Sequence, residues 1–231
     1  MKWFNKEGKY FLSASLICGD PLKLTEELDE LRKAEIDALH FDVMDGHFVP
    51  RLGLYPEMLK AIKGQTDIPI DVHLMLDHPT AYVEKFIEAG ADLVAFHIES
   101  DDDIAETIKF IKSKNVKVGL VLKPDTPLDM LNPFLSEIDL VMLMAIQPGI
   151  LGQKVIPETF FRISDLSKKL EDYPNIVIEI DGGVTPETAL KMVKCGARLL
   201  VCGTGTIYRP HEDTILNKVK ELRKIIDTTL A

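Results

Sequence analysis

Short apolar runs alternate with longer amphipathic stretches along this chain. The runs cover residues 11–17, 38–42, 68–74, 93–97, 117–122, 140–144, 176–180 and 198–201, and most are near-continuous in apolar residues. Such runs predict strands buried on both faces, as in a parallel sheet covered by helices. Between them, residues 21–33, 79–89, 102–114, 157–170, 186–194 and 211–227 read as helices. Start and stop signals fit two of these. Asp77 to Pro79 opens one helix and Gly90 closes it; Thr185-Pro186 opens another and Gly196 closes it.

Eight strands in 231 residues leave about 29 residues per unit, a workable βα repeat. This predicts the α/β class and a (β/α)8 TIM barrel forming a single domain over residues 1–231. A doubly wound open sheet competes, with weaker support because no G-x-G-x-x-G turn follows the first strand. No apolar run approaches the roughly 18–20 residues that span a bilayer, so an integral membrane protein is not expected. Residues 1–12 carry Lys2, Lys6, Glu7 and Lys9 without the apolar centre of a secretory signal. Cys18, Cys195 and Cys202 are odd in number and lack C-x-x-C pairing, which favours a reducing, cytoplasmic setting. The net charge of −10 argues against nucleic acid or an anionic membrane as partner. It leaves room for a small anion held by backbone N–H groups.

Active sites of such barrels lie at the C-terminal ends of the strands. The second strand ends with His40 and Asp42, two apart and so on the same side. The third carries Asp71 and His73, and the seventh Glu179 and Asp181. If the two imidazoles and two of these carboxylates converge, they make a shell for one divalent ion, Zn, Mn, Fe or Co. His97 and Glu99 form another such pair, equally readable as support for the shell or as a satisfied buried pair. His47, His78 and His211 lie in loop or helix-start contexts and receive no role. Glycine loops follow the last three strands: Gln147 to Gln153, Gly182-Gly183 and Gly203-Thr204-Gly205. Loops after strands seven and eight are the usual phosphate site in these barrels. A cation shell beside a phosphate cradle points to a phosphorylated sugar.

The segment Leu39-His40-Phe41-Asp42-Val43-Met44-Asp45-Gly46-His47-Phe48-Val49-Pro50 closely resembles the signature of the ribulose-phosphate 3-epimerase family. So do Asp71-Val72-His73-Leu74-Met75, the Pro-Gly loop at 148–152 and Ile180-Asp181-Gly182-Gly183, within a resemblance running from about residue 11 to 208. It implies a barrel of the ribulose-phosphate-binding type that inverts C3 of a phosphorylated ketose, usually between D-ribulose 5-phosphate and D-xylulose 5-phosphate in the pentose phosphate pathway. It implies one divalent metal ion on His40, Asp42, His73 and Asp181, with Asp42 and Asp181 as acid and base. Ser15 and His73 are implied as substrate contacts. Met44, Met75 and Met144 are implied as the rim, although without the resemblance they read as ordinary core. Gly149, Ile150, Leu151, Gly152, Gly182, Gly183, Gly203 and Thr204 match phosphate-loop positions. A homo-oligomer is also implied.

The chain departs from the family at Ala14, usually proline, and at Cys18, usually serine. It also departs at Gln147, at Ile150-Leu151 in the phosphate loop, and at Thr204. Leu16-Ile17-Cys18 and Gly203-Thr204 resemble the branch that converts D-allulose 6-phosphate to D-fructose 6-phosphate. The alternatives are therefore that activity, a lyase or decarboxylase on a related barrel, and a non-catalytic sugar-phosphate sensor.

Overall fold

The computed structural model describes residues 10–150, 152–209 and 213–230. Eight parallel strands close into a barrel in chain order. They are β1 (Phe11–Ser15), β2 (Ala38–Met44), β3 (Ile70–Met75), β4 (Leu93–His97), β5 (Lys117–Leu122), β6 (Leu140–Met144), β7 (Val177–Asp181) and β8 (Leu199–Cys202). Helices α1 (Leu24–Lys33), α2 (Pro56–Lys63), α3 (Thr80–Ala89) and α4 (Ile104–Ser113) follow the first four strands. After β6, β7 and β8 come α5 (Thr159–Lys169), α6 (Pro186–Lys194) and α7 (Ile215–Leu230). Between β5 and β6 the only helical element is a 3₁₀ turn, Leu128–Leu131. No described helix is long and apolar enough to cross a membrane.

Alternate strand residues face opposite sides. One set, including Leu39, Phe41, Val72, Leu74, Phe96 and Ile178, packs under the helices. The other fills the barrel interior, where Phe11, Ala38, Leu93, Ala95, Leu140, Met142, Val177 and Leu199 make an apolar plug. That plug occupies the lower turns of the strands. The same inward parity, followed upward, gives the polar residues Ser15, His40, Asp42, His73, His97, Glu179 and Asp181, with Met44, Met75 and Met144 among them.

Several strand boundaries shift by one or two residues from the sequence pattern, and at β1 and β2 the pairing shows why. The first run leaves the sheet after Ser15, because its last partner is His40, and it continues as a 3₁₀ turn, Leu16–Cys18. The second run extends to Met44, because β3 supplies partners as far as Met44 opposite Met75. The loop beyond it folds back on β2: Gly53 N–H donates to Met44 O at 3.1 Å and Leu54 N–H to Asp42 O at 2.8 Å. A Cβ on Gly53 would lie 2.4 Å from Met44 N, so this approach requires glycine.

The helix signals are confirmed for both helices that carried them. Thr185 caps α6 through a reciprocal capping box with Thr188, and Gly196 beyond its end has φ +115°. Pro79 is the N-cap of α3, and Gly90 at φ +107° ends it. That helix begins at Thr80, and Asp102 on the neighbouring loop accepts its first N–H at 2.7 Å.

Candidate active site

The strand register determines which side chains meet. Ser15 stands beside His40, Asp42 beside His73, and Met144 beside Asp181. Closure of the barrel then brings β7 round to face β2. One ligand atom each from His40, Asp42, His73 and Asp181 falls within 4.8 Å of every other. Asp42 Oδ1 lies 3.1 Å from His40 Nε2 and 3.3 Å from His73 Nδ1. Asp181 Oδ2 lies 3.8 Å from His73 Nδ1. The sequence-predicted shell is thus assembled.

The donor set fits a divalent cation. Ligands at zinc-type distances stand about 3.3–3.6 Å apart in a tetrahedron, close to the spacings seen here. The surrounding hydrogen bonds agree. His40 Nδ1 bonds Asp71, whose other oxygen accepts Ser13 Oγ–H at 2.9 Å. With Nδ1–H held by a carboxylate, His40 Nε2 presents its lone pair toward Asp42 and the shell, the usual back-bonding of a metal-ligating imidazole. Charge argues the same way. Asp42, Asp71 and Glu179 are buried and Asp181 nearly so, against only two facing imidazoles. Both oxygens of Glu179 are buried without a hydrogen-bond partner among the described residues.

The titration directions follow from this crowding. Burial would push His40 down, but the Asp71 and Asp42 carboxylates outweigh it and hold the imidazole well above its ordinary value. Burial would raise Asp42, but His40 and His73 hold it below the usual carboxylate range. Asp181 is raised, by burial and then by the charge of Asp42. Glu179 is raised well above its usual value, by burial and then by Asp71.

Above the shell opens a cavity of about 630 Å³. Ser15, Asp42, Asp181, Met44, Met75 and Met144 line it. So do Gly149, Ile150, Gly152, Gly182, Gly183, Gly203 and Thr204. His40 and His73 are fully buried beneath it. Leu151 and His211 lie outside the described residues. Ser15 Oγ–H donates to Asp42 Oδ2 at 3.0 Å. Gly182, at φ +102°, has its missing Cβ 2.3 Å from Ile146 Cγ1, so no other residue fits that backbone bend. The loop after β6 is pinned by Gln153, whose Nε2 donates to Gln147 O at 2.8 Å and Ile150 O at 2.9 Å.

Several wall residues carry no sequence motif. Arg51 and Lys154 line the cavity, and neither has a carboxylate in ion-pair range among the described residues. Two such cations on the cavity wall of a chain of net charge −10 are a local feature that whole-chain charge hides. Cys18 lines the wall too, with its Sγ–H 3.6 Å from Ser15 Oγ; burial pushes its thiol up. His47 and His78 are exposed, and His78 faces Asp102 at 3.2 Å.

The Ribulose-phosphate 3 epimerase family model matches residues 11–207. The ribulose-phosphate 3-epimerase of Bacillus subtilis (strain 168) is 35% identical over 211 residues, covering 90% of this chain and 97% of that protein. The chloroplastic ribulose-5-phosphate-3-epimerase of Arabidopsis thaliana is 42% identical over 196 residues, covering 84% of this chain and 70% of that protein. Among solved structures, 3-keto-L-gulonate-6-phosphate decarboxylase from Vibrio cholerae superposes with a TM-score of 0.71 at 12% identity, covering 96% of this chain and 99% of that one. At that identity the likeness shows the barrel alone. The family match spans the strand ends that carry the shell and every glycine loop of the cavity, and on that ground the chain belongs to the ribulose-phosphate 3-epimerase family.

Proposed function

We propose that this chain is a divalent-cation-dependent ketose-phosphate 3-epimerase that interconverts D-ribulose 5-phosphate and D-xylulose 5-phosphate. The observation that carries the reading is the meeting of Asp42 and Asp181, 139 positions apart in sequence, around two imidazoles at the floor of one cavity. Inversion at C3 needs a proton removed from one face of the carbon and another delivered to the opposite face. Two carboxyl groups on different strands do this without turning the substrate over. Ser15 fixes one oxygen of Asp42 and so orients the other. His40, Asp42, His73 and Asp181 would hold the cation. A divalent ion there supplies positive charge against the 2,3-enediolate formed when C3 is deprotonated, worth several kcal/mol.

The remaining wall fits the rest of the substrate. Met44, Met75 and Met144 line the reaction chamber with polarizable, apolar groups that exclude water. Gly182, Gly183, Gly203 and Thr204, with Gly149, Ile150 and Gly152 opposite, offer backbone to a phosphate, and Arg51 and Lys154 add positive charge at the wall. The same reading makes the protein a single-domain, cytoplasmic, homo-oligomeric enzyme of carbohydrate metabolism.

A second reading is D-allulose 6-phosphate 3-epimerase, favoured by Cys18 lining the wall beside Ser15 and Gly203. Turnover of both sugars by cation-loaded protein separates the two. The proposal expects faster turnover of ribulose 5-phosphate. Equal or reversed preference overturns the pentulose assignment, and no turnover of either sugar overturns the epimerase reading.

A further inference from the structure

We infer that His97 and Glu99 are positioning residues that fix the tautomer and plane of His73, so that its Nδ1 lone pair faces the cation. The inference rests on the cation reading above and assigns roles outside the four-ligand shell. His97 ends β4, one strand over from His73, and is fully buried. Its Nε2 lies 3.0 Å from His73 Nε2. A contact between two ring nitrogens at that distance holds one proton: one nitrogen donates and the other accepts.

The partners on the far side decide which. His97 Nδ1 lies 3.0 Å from Glu99 Oε2. The other Glu99 oxygen accepts Lys123 N–H at 2.8 Å and the Thr126 hydroxyl. Burial would raise Glu99, but His97, the Thr126 hydroxyl and Lys123 N–H hold it below its ordinary value as a carboxylate, so His97 Nδ1 carries the proton and donates it. His97 Nε2 is then the acceptor, and His73 Nε2–H the donor. His73 Nδ1 is left with its lone pair, 3.3 Å from Asp42 and 3.8 Å from Asp181, inside the shell. Donation runs from His73 through His97 to Glu99, which also accepts from the β5 loop, without a conflict.

Packing fixes the planes as well as the protons. His73 and His97 stack with ring centroids 5.1 Å apart and 28° between planes. Phe48, from the loop after β2, covers His97 at 4.7 Å, and Lys123 Nζ sits 3.7 Å over the Phe48 ring. Arg162 donates to Thr126 O at 2.8 Å, tying the β5 loop to α5. A buried ion-like pair with no further purpose would need none of this alignment toward His73.

The test uses the full-length protein stripped of metal and titrated with Co²⁺ against a competing chelator, read by affinity and by visible absorption of the bound ion. His97→Phe keeps a ring for stacking but removes the acceptor. It is expected to weaken Co²⁺ binding by roughly 10–100-fold and to change the Co²⁺ spectrum. The melting temperature of the metal-free protein should stay near wild type. Glu99→Gln, should His97→Phe fail to fold, is expected to weaken binding in the same direction. His97→Gln, whose amide oxygen can accept the same N–H, should recover part of the affinity. Wild-type affinity and spectrum in both His97→Phe and Glu99→Gln overturn the positioning role. A wild-type protein that takes up no Co²⁺ overturns the cation reading itself, and this role with it.

Discussion

The two ends of the barrel use the same side chain in opposite ways. At the N-terminal end, Asp37, Asp92 and Asp139 each precede a strand, β2, β4 and β6. Each accepts a backbone N–H from the start of the preceding strand: Leu12 at 3.0 Å, Ile70 at 2.8 Å and Val118 at 3.1 Å. Each also meets a cation, Arg223, Lys63 and Lys117 in turn. Every one of these carboxylates is satisfied by the protein itself. At the C-terminal end, Asp42, Asp71, Asp181 and Glu179 crowd two imidazoles, and neither oxygen of Glu179 has a hydrogen-bond partner among the described residues. The first arrangement holds strands in place. The second sets ionisable groups against one another at the floor of a cavity, the local conflict that a functional site keeps in an otherwise self-consistent fold.

The sharpest way to break the contrast is to neutralise one aspartate at each end. Asp181→Asn should lower turnover at least ~10²-fold, the low end for a general acid or base. It should also raise the melting temperature of the metal-free protein, because it removes repulsion against Asp42. Thermal melts and steady-state rates check both effects; a fully active variant contradicts the acid/base assignment. Cation removal comes next: chelation should abolish turnover, and restoring the ion at 100 times its dissociation constant should return about 2.7 kcal/mol of stability.

At the other end, Asp139→Ala strands Val118 N–H and Lys117 and should cost about 1–2 kcal/mol in denaturant unfolding. Turnover per folded molecule should not change. The smallest effect concerns Asp45, whose carboxylate accepts N–H groups of His47, Phe48 and Asp77 at 2.8, 2.8 and 2.9 Å. Burial would raise Asp45, but these bonds hold it below its ordinary value. Its contribution is therefore full above its unfolded pKa and lost as pH falls through the lower folded value. Asp45→Asn should lose a little stability at neutral pH and flatten that acid-side decline, measured as melting temperature against pH.

The barrel was legible because a parallel sheet buried on both faces leaves near-continuous apolar runs, and eight of them were countable. The pattern named no helix between the fifth and sixth runs, where only the 3₁₀ turn Leu128–Leu131 stands, but it also named none between the second and third, where α2 lies. In the site, the two-residue spacing of His40 and Asp42 was legible from the strand period. The contact of Asp42 with His73 depends on cross-strand register, which no local pattern encodes. For the same reason His97 and Glu99 stayed undecided. Only the pairing of His73 with Ala95 brings His97 against the His73 ring rather than away from it. Asp71 and Glu179 were visible as residues, but their place under His40 comes from barrel closure. Arg51 and Lys154 left no signal, because scattered cations read as surface until a cavity gathers them.

The central claim is that Asp42 and Asp181 pass protons to the two faces of one carbon beside a bound cation. Incubating cation-loaded protein with D-ribulose 5-phosphate in deuterated water tests it most directly. The account predicts D-xylulose 5-phosphate carrying solvent deuterium at C3, with incorporation lost in Asp181→Asn. Recovery of unlabelled, unconverted ribulose 5-phosphate from the wild-type protein would contradict it.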